Sequence, residues 1–278
     1  MKSSCCTKYG DTGSQKFRGS KSHHMLPDSS ILTNIQVPGH TRLRDILFEK
    51  AYINTRGLEN RLYTDEELMK LPDIAENHTH YKEWRLRKSS GGRLLRHLSA
   101  KKRSLEILEI GCGNGWFSHL LAEIPGSEVT GLDINFTELQ QAARVFSDDP
   151  NLNFIHGDIR SGILGDRQFD IIIFAATIQY FPSLKKILHL TLAYLKQGGE
   201  IHVTDSHLYK PEEIPTEKNR TLAYYTSLGY PEMADFYYHH STTDLRSFHH
   251  DWLHRPHSMV SRFLGIKNPW PWVRVTNN

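Results

Sequence analysis

The feature that most constrains the fold is a regular alternation of strand-length apolar runs and helical segments between residues 105 and 205. Its clearest member is the run FDIIIFA at 169–175, which is typical of a strand buried on both faces of a sheet. Strands are predicted at 105–110, 128–133, 152–156, 169–175 and 200–205, with helices at 116–123, 137–146 and 183–195. This alternation predicts right-handed strand–helix–strand units and an α/β fold with a doubly wound parallel sheet.

The segment before this core is less regular. Residues 1–38 are rich in Ser, Lys, Gly and Thr without periodicity, so we expect a mobile tail, with Met25 as an alternative natural start. Residues 39–103 are predicted to form a helical cap or lid. Within it, Thr64 and Glu67 have the spacing of a capping box, and Pro72 is expected to end that helix. A longer helix over 80–98 is expected to be interrupted at Gly91-Gly92.

The last part of the chain is assigned to the same domain as the alternating core, over residues 104–278. It carries weaker signals: a helix is predicted over 217–228, a strand over 236–241 and an edge strand over 272–276.

Composition excludes several classes of protein. The net charge is +3, but residues 1–30 carry five basic and two acidic groups, which leaves 29 basic and 29 acidic groups in the remainder. This balance disfavours nucleic acid as a partner. Three cysteines without a C-x-x-C pattern predict neither a disulfide framework nor zinc, and His250 and His254 lack a helical pattern, so no metal is expected. No apolar run approaches the length of a membrane span, so we expect a cytoplasmic protein.

The strongest site signal is a glycine-rich turn, EIGCGNG at 109–115, where the first strand gives way to a helix. A dinucleotide fingerprint, G-x-G-x-x-G, would need a third glycine at the position of Trp116, so the motif is of another kind. Asp133 ends the second strand and can bind both hydroxyls of a ribose. Asp158 follows the third strand and can accept a hydrogen bond from an adenine amine. Both aspartates could instead be ordinary turn residues, and Glu109 could be a local cap.

In these motifs the sequence resembles the class I S-adenosylmethionine-dependent methyltransferases. The matching segments are LEIGCGNG, GLDIN, HGDI, FDIIIFAATIQYF and LKQGGEIHVTD, which cover residues 105–205 in the expected order. The resemblance implies a mostly parallel seven-stranded sheet and S-adenosylmethionine as cofactor. It implies that the cofactor contacts Glu109, Gly111, Cys112, Gly113, Asp133, Ile134, Asp158, Ile159 and Ala175. It also implies that residues before the first strand reach the methionine carboxylate, and we expect these to be Tyr81 and Arg87.

The acceptor is less constrained than the cofactor. Methyl transfer from a sulfonium needs mainly in-line positioning, and a base only when the acceptor is protonated. The segment 175–180, AATIQY, lacks the Asp/Asn-Pro-Pro-aromatic motif of many families that methylate exocyclic or amide nitrogens, which disfavours DNA adenine and protein glutamine methylation. A small-molecule acceptor is expected. Tyr180 and His207 are the candidate catalytic residues. The alternatives are an RNA or protein methyltransferase that uses the basic segment 85–103, or a fold relative that binds the cofactor without turnover.

Overall fold

The computed structural model describes residues 35–36, 43–256, 258–259, 265 and 267–277. The helices are α1 (Leu43–Leu58), α2 (Asp65–Leu68), α3 (Tyr81–Ser99), α4 (Trp116–Ala122), α5 (Phe136–Val145), α6 (Leu184–Leu192) and α7 (Ile214–Ser227). The strands are β1 (Ile35–Gln36), β2 (Leu105–Ile110), β3 (Ser127–Asp133), β4 (Leu152–His156), β5 (Phe169–Ala175), β6 (Leu195–Thr204), β7 (Leu208–Tyr209), β8 (His240–Ser241), β9 (His250–His254) and β10 (Trp272–Thr276). No helix in these ranges is long and apolar enough to cross a membrane.

One mixed sheet organises the described part of the chain, with strand order β1-β4-β3-β2-β5-β6-β10-β9. The strands from β1 to β6 pair in parallel, and β10 and β9 are antiparallel additions. The chain turns from β2 to β3 on one side and later returns to β5 on the other. The carboxyl ends of β2 and β5 therefore form the crevice in which open α/β sheets bind ligands. The predicted doubly wound, mostly parallel α/β class is confirmed.

The sheet has one more strand than the seven predicted. Two of its eight strands, β1 and β9, were not predicted, and the strand predicted over 236–241 lies outside this sheet. β1 pairs with β4 through Ile35 and Phe154. Ile35 is buried, so the predicted mobile tail over 1–38 is wrong at this position. The other residues of that tail, including Met25, lie outside the described residues.

Both faces of the sheet are covered by apolar layers. On one face, Ile107 and Ile173 belong to a buried cluster with Leu94 of α3 and Phe117 of α4. On the other face, Ile172 and its neighbours pack with α6 and with residues of β10, in a cluster that includes Phe174, Leu184, Leu188 and Val273. Successive residues of β5 thus enter opposite layers, which explains why FDIIIFA is apolar without alternation.

The predicted capping box at α2 is confirmed. The Glu67 backbone N–H donates to the Thr64 hydroxyl, and the Thr64 backbone N–H donates to the Glu67 carboxylate. The expected break at Gly91-Gly92 is wrong, because α3 runs through both glycines. At Gly91 a Cβ would lie only 3.1 Å from the Phe117 ring, so this glycine permits close packing of α3 on α4 rather than ending the helix.

The predictions after residue 206 are mixed. A helix was expected over 217–228 and is found as α7. The strand predicted over 236–241 is wrong except for β8, because residues 231–236 form a 3-10 helix. The strand at 272–276 is present as β10 but is internal rather than at the edge. The edge is β9, which contains His250 and His254. In a strand, residues four apart are separated by about 13 Å, so these two histidines cannot share a metal ion.

Candidate functional site

The glycine-rich turn connects β2 to α4 with a left-handed backbone at alternate residues. Gly111, Gly113 and Gly115 have φ of 74°, 54° and 77°, a region that side chains other than glycine rarely adopt. The surrounding atoms also leave no room for a side chain: a Cβ on Gly111 would lie 2.0 Å from the Thr177 hydroxyl, and one on Gly115 would lie 2.8 Å from the Phe154 ring. The spacing G-x-G-x-G is therefore required by the local fold.

Asp133, at the end of β3, holds this turn in place. Its carboxylate accepts backbone N–H bonds from Gly113 and Asn135, each 2.7 Å long. Burial raises the pKa of Asp133 above its usual range, although those N–H donors act in the opposite direction. The carboxylate still lines an open cavity, so it can bind a ligand while it orders the turn.

A cleft with two lobes lies along the carboxyl ends of the parallel strands. The first lobe, of about 660 Å³, is lined by Asp133, Asp158 and the apolar side chains Phe48 and Ile134. The second lobe, of about 610 Å³, is lined by Glu109 and basic and aromatic side chains. The lobes meet at Tyr52, Gly111, Gly113, Glu138 and Ala176, which line both. The two lobes can therefore hold one extended ligand.

The structure brings almost all predicted cofactor residues to this cleft. In the first lobe lie Gly111, Gly113, Asp133, Ile134, Asp158 and Ile159. In the second lie Glu109, Gly111, Cys112, Gly113, Ala175 and Arg87. Tyr81 is the exception: it lines neither lobe, and its hydroxyl donates to Glu76 instead. Tyr81 is the first residue of α3 and lies outside the cleft. Tyr63, which accepts a 2.7 Å hydrogen bond from the Trp84 indole, lines the second lobe.

Asp158 already has a charged partner. The Arg160 side chain donates to both of its carboxylate oxygens, at 2.9 Å, and the Arg160 backbone N–H donates to one of them at 2.8 Å. Asp158 itself is buried, whereas Arg160 is partly exposed at the mouth of the first lobe. An adenine amine would therefore share this carboxylate with Arg160.

Glu109 and Cys112, which line the second lobe, are buried and have pKa values above their usual ranges. Glu109 is 2% exposed, and burial raises its pKa to about 8, although the Ser118 hydroxyl donates to it. Burial also raises the pKa of the Cys112 thiol well above its usual range, which makes it a poor nucleophile. Cys5 and Cys6 lie outside the described residues.

Several lining residues were not predicted from the sequence. Tyr52 and Arg56 of α1, Arg61, Tyr63 and Glu138 enter the cleft from segments without a recognisable motif. For the four residues before β2, the only signal was the concentration of aromatic and basic residues in 52–63, which also suits an ordinary helix surface, and Glu138 had no signal beyond its place in a predicted helix. Thr177, in the AATIQY segment, lines the first lobe and was not a predicted cofactor residue.

A side chamber of about 1010 Å³ opens next to the cleft. Its walls are rich in tyrosine and arginine, and they come from α1 and the loop after it, α3, the segments that follow β5 and β6, α7, Tyr237 and Trp270. Both candidate catalytic residues are here: Tyr180 lines the chamber and the first lobe, and His207 lies exposed at the rim. Ala176 lines the chamber and both lobes, so it marks the place where all three cavities meet.

Three arginines form the wall between the second lobe and the chamber. Arg56 and Arg61 each lie 3.3 Å from the Glu59 carboxylate. Arg61 and Arg87 lie 2.6 and 3.0 Å from Glu83, whose pKa they lower to about 2 against the effect of burial. Three guanidinium groups thus share two carboxylates, which leaves a positive surplus on this wall.

A separate cluster of His97, Glu200 and His202 has the composition of a metal site. The Trp272 indole N–H donates to His202 Nδ1 at 3.1 Å, so the proton of the neutral ring is on Nε2, which faces Glu200 at 3.2 Å. Burial lowers the pKa of His202 to about 4, so the ring is neutral at pH 7. Lys101 and Arg274 also pair with Glu200. These bonds occupy the ligand atoms, and the group is better described as a polar hub.

The basic segment 85–103 is partly neutralised within the fold. Arg87, Lys88, Lys101 and Arg103 pair with acidic groups, namely Glu83, Asp73, Glu200 and Asp170. Arg85, Arg93 and Arg96 instead line an open groove on α3. The sequence run therefore does not form one continuous basic surface.

Comparison with known proteins places the central segment in a family. Residues 107–199 match the family model described as a methyltransferase domain. A malonyl-(acyl-carrier protein) O-methyltransferase of Ilyobacter polytropus is 34% identical over 101 residues, 36% of this chain and 37% of that protein. An arsenite methyltransferase of Mus musculus is 31% identical over 130 residues, 40% of this chain and 34% of that protein. The chain thus spans little more than a third of these relatives.

Among solved structures, magnesium protoporphyrin IX methyltransferase of Synechocystis PCC 6803 with bound SAM has a similar fold. The TM-score is 0.53 at 15% sequence identity, and the alignment covers 86% of this chain and 100% of that chain. This similarity extends the agreement in fold beyond the central segment.

Proposed function

Residues 107–199 belong to the methyltransferase domain family, with the class I fold that the motifs predicted, and we propose that the whole chain is an S-adenosylmethionine-dependent methyltransferase with a small-molecule acceptor. When bound, the cofactor supplies a methyl group on a sulfonium, from which a neutral thioether leaves. The chain's own residues bind the cofactor, place the acceptor and exclude water.

The residues of the cleft fit the cofactor. Asp133 offers carboxylate oxygens to a diol, and Ile134 and Phe48 offer apolar surface to a purine. Asp158 can accept from an exocyclic amine. The surplus of positive charge on Arg56, Arg61 and Arg87 suits a carboxylate in the second lobe, since guanidinium groups bind carboxylates well.

The observation that carries the proposal is the position of Ala176. It is the residue that lines both lobes of the cleft and the side chamber. A molecule in the chamber can therefore approach a ligand in the cleft beside this small side chain, and such proximity is the main requirement of methyl transfer. The neighbouring Ala175, an implied cofactor contact, lines the second lobe.

The chamber supports a small molecule as the acceptor. Its lining comes from several separate segments, and none of the residues that line it also lines the basic groove on α3. His207 at the rim could accept a proton from the acceptor. Burial raises the pKa of Tyr180, so its neutral hydroxyl could orient the acceptor by a hydrogen bond. The RNA or protein alternative is less well supported, because half of the basic run is paired within the fold.

The cap over residues 39–103 is proposed to close the cleft. Glu49 of α1 accepts hydrogen bonds from the backbone N–H and the hydroxyl of Thr137, both 2.8 Å long, and Phe48 and Tyr52 reach the cleft. The cytoplasmic location expected from the sequence stays a prediction.

Methyl transfer itself tests the proposed function. The purified protein is incubated with S-adenosylmethionine carrying an isotopic label in the methyl group and with the small-molecule fraction of a cell extract. We expect label in a small-molecule product by mass spectrometry. Label found only in RNA or protein would contradict the small-molecule acceptor, and cofactor binding without any product would favour the non-catalytic alternative.

His207 provides a matched variant for the same assay. His207→Ala removes the candidate base at the chamber rim, so we expect turnover to fall about tenfold or more. Cofactor affinity should stay unchanged, because His207 does not line the cleft. His249→Ala, an exposed histidine on another part of the surface, should leave both unchanged. Equal turnover of the two variants would remove His207 as a candidate base.

A further inference from the structure

Glu138 is a carboxylate within the cleft that the sequence motifs did not assign. It lies in the first turn of α5, and its side chain lines both lobes. One of its oxygens would lie 3.1 Å from a Cβ on Gly113, so the carboxylate is held against the glycine-rich turn. An extended ligand that fills both lobes must pass it.

The partners of Glu138 leave its charge poorly compensated. Its hydrogen bond comes from the neutral Asn135 amide, at 3.2 Å. Arg56 offsets the charge from a distance, but this guanidinium is shared with Glu59 at 3.3 Å and with the Tyr52 ring at 4.7 Å. A carboxylate in such surroundings gains most from a ligand that brings its own positive charge.

Several titratable groups face Glu138 from the elements around it. They are Glu49, Tyr52 and Arg56 of α1, Cys112 of the turn, Asp133 of β3 and Tyr180 after β5. Burial and the charges of Asp133 and Glu49 raise the pKa of Glu138 to about 7, against the influence of Arg56. The burial of Tyr52, Cys112 and Tyr180 raises their pKa values, so these groups stay neutral around pH 7.

On the basis of the proposed function, we propose that Glu138 contacts the cofactor and makes the cleft select the positively charged sulfonium of S-adenosylmethionine over the neutral thioether of S-adenosylhomocysteine. The two ligands share their adenosine, amino and carboxylate groups, so they differ only at the sulfur, which in S-adenosylmethionine carries a methyl group and a positive charge. An ionised Glu138 attracts the sulfonium and is indifferent to the thioether. A neutral Glu138 distinguishes the two ligands much less. This selectivity would favour exchange of product for substrate.

The pH dependence of binding tests the inference. Dissociation constants of both ligands are measured by calorimetry at pH 6, 7 and 8, and their ratio is taken at each pH. With a pKa of about 7, the ionised fraction of Glu138 rises about tenfold between pH 6 and 8, so the preference for S-adenosylmethionine should rise by up to about tenfold. Because the shared groups titrate alike in both ligands, they cancel in the ratio.

Two variants identify the responsible group. Glu138→Gln keeps the shape and should make the ratio independent of pH. Glu49→Gln removes a neighbouring carboxylate outside the cleft lining, whose charge raises the pKa of Glu138. The preference for S-adenosylmethionine should therefore still increase with pH in this variant, but with its midpoint at lower pH. An increase that survives in Glu138→Gln would come from another carboxylate of the cleft, Asp133 or Glu109, and would overturn the inference.

If Glu138→Gln fails to fold, the pH dependence of the wild-type protein alone still tests the inference. A ratio that does not change from pH 6 to 8 overturns the inference while cofactor binding, and with it the proposed function, still holds. Failure of the wild type to bind either ligand at any pH contradicts the proposed function first.

Discussion

At the scale of single residues, backbone strain is concentrated where the sheet opens onto the candidate site. Ala176 and Asp205, with φ of 56° and 54°, follow the ends of the adjacent strands β5 and β6. Both line the side chamber, and the Ala176 backbone N–H donates to Thr204 at 2.9 Å. Left-handed residues other than glycine cost energy that the surrounding structure must offset, and they are common at functional sites.

The closest approach in the site predicts the effect of Gly111→Ala. The new Cβ would overlap the Thr177 side chain at 2.0 Å in a backbone with φ of 74°. We expect a loss of about 3 kcal/mol in the free energy of unfolding, measured by urea denaturation, together with loss of cofactor binding.

Gly162→Ala is the matched control for that change. Gly162 has the same φ of 74°, but nothing lies within 4 Å of its Cβ position. Only the conformational cost of about 1 kcal/mol should remain. Equal destabilisation by the two substitutions would show that the contact with Thr177 is unimportant.

At the scale of elements, helix α3 shows how packing overrides a local signal. The pair Gly91-Gly92 predicts a break, yet the helix continues because Leu94 and Leu98 of its next turns are buried in the core. The two glycines differ in their surroundings. Gly91 faces the Phe117 ring, whereas the nearest atom to a Cβ on Gly92 is the Arg96 guanidinium at 3.5 Å.

This difference predicts that alanine at the two positions of α3 stabilises the protein to different extents. Gly92→Ala should raise the free energy of unfolding by about 0.5 to 1 kcal/mol, since alanine restricts the unfolded chain and favours helix. Gly91→Ala should stabilise less, because its Cβ would meet Phe117 at 3.1 Å. Urea denaturation of both variants measures the difference, and a larger gain at Gly91 would contradict this account of the packing.

At the scale of the whole molecule, the polar hub around Glu200 joins α3 to β6 and β10. His97 and Lys101 contribute from the end of α3, and Arg274 and Trp272 from β10. These contacts lower the pKa of Glu200 far below its usual range, so it stays ionised at all ordinary pH values. Glu200 is 7% exposed, and the hub therefore ties the antiparallel strands to the parallel sheet through buried charge.

The hub predicts a loss of stability in mild acid. Burial lowers the pKa of His202 to about 4, from an ordinary value near 6.5, so the folded protein binds this proton less readily than the unfolded chain. The stability that the neutral ring contributes is complete above pH 6.5 and is lost as the pH falls towards 4. Between pH 7.5 and 5 the loss from this group is about 2 kcal/mol.

His202→Gln isolates that contribution. Urea unfolding at pH 7.5 and 5 should show a smaller acid-induced loss in the variant than in the wild type, whatever their stabilities at pH 7.5. The same loss in both proteins would mean that His202 does not carry the effect.

The sequence predicted the part of the molecule whose structure is locally encoded. The parallel core, the glycine turn and the positions of Asp133 and Asp158 follow from apolar runs and turn residues near one another in the chain. The edge strand β9 and the internal place of β10 depend on pairing between segments about 20 to 70 residues apart, which periodicity does not report. The chamber and Glu138 were missed for a similar reason, since their partners come from distant helices.

Binding of S-adenosylmethionine tests the central claim most directly. Calorimetry of the wild type should show binding of both the cofactor and its demethylated product. Asp133→Ala, which removes the carboxylate that binds Gly113 and Asn135, should weaken both at least tenfold while the protein stays folded by circular dichroism. Absence of binding in the wild type, or a folded Asp133→Ala protein with wild-type affinity, would contradict the assignment of this cleft.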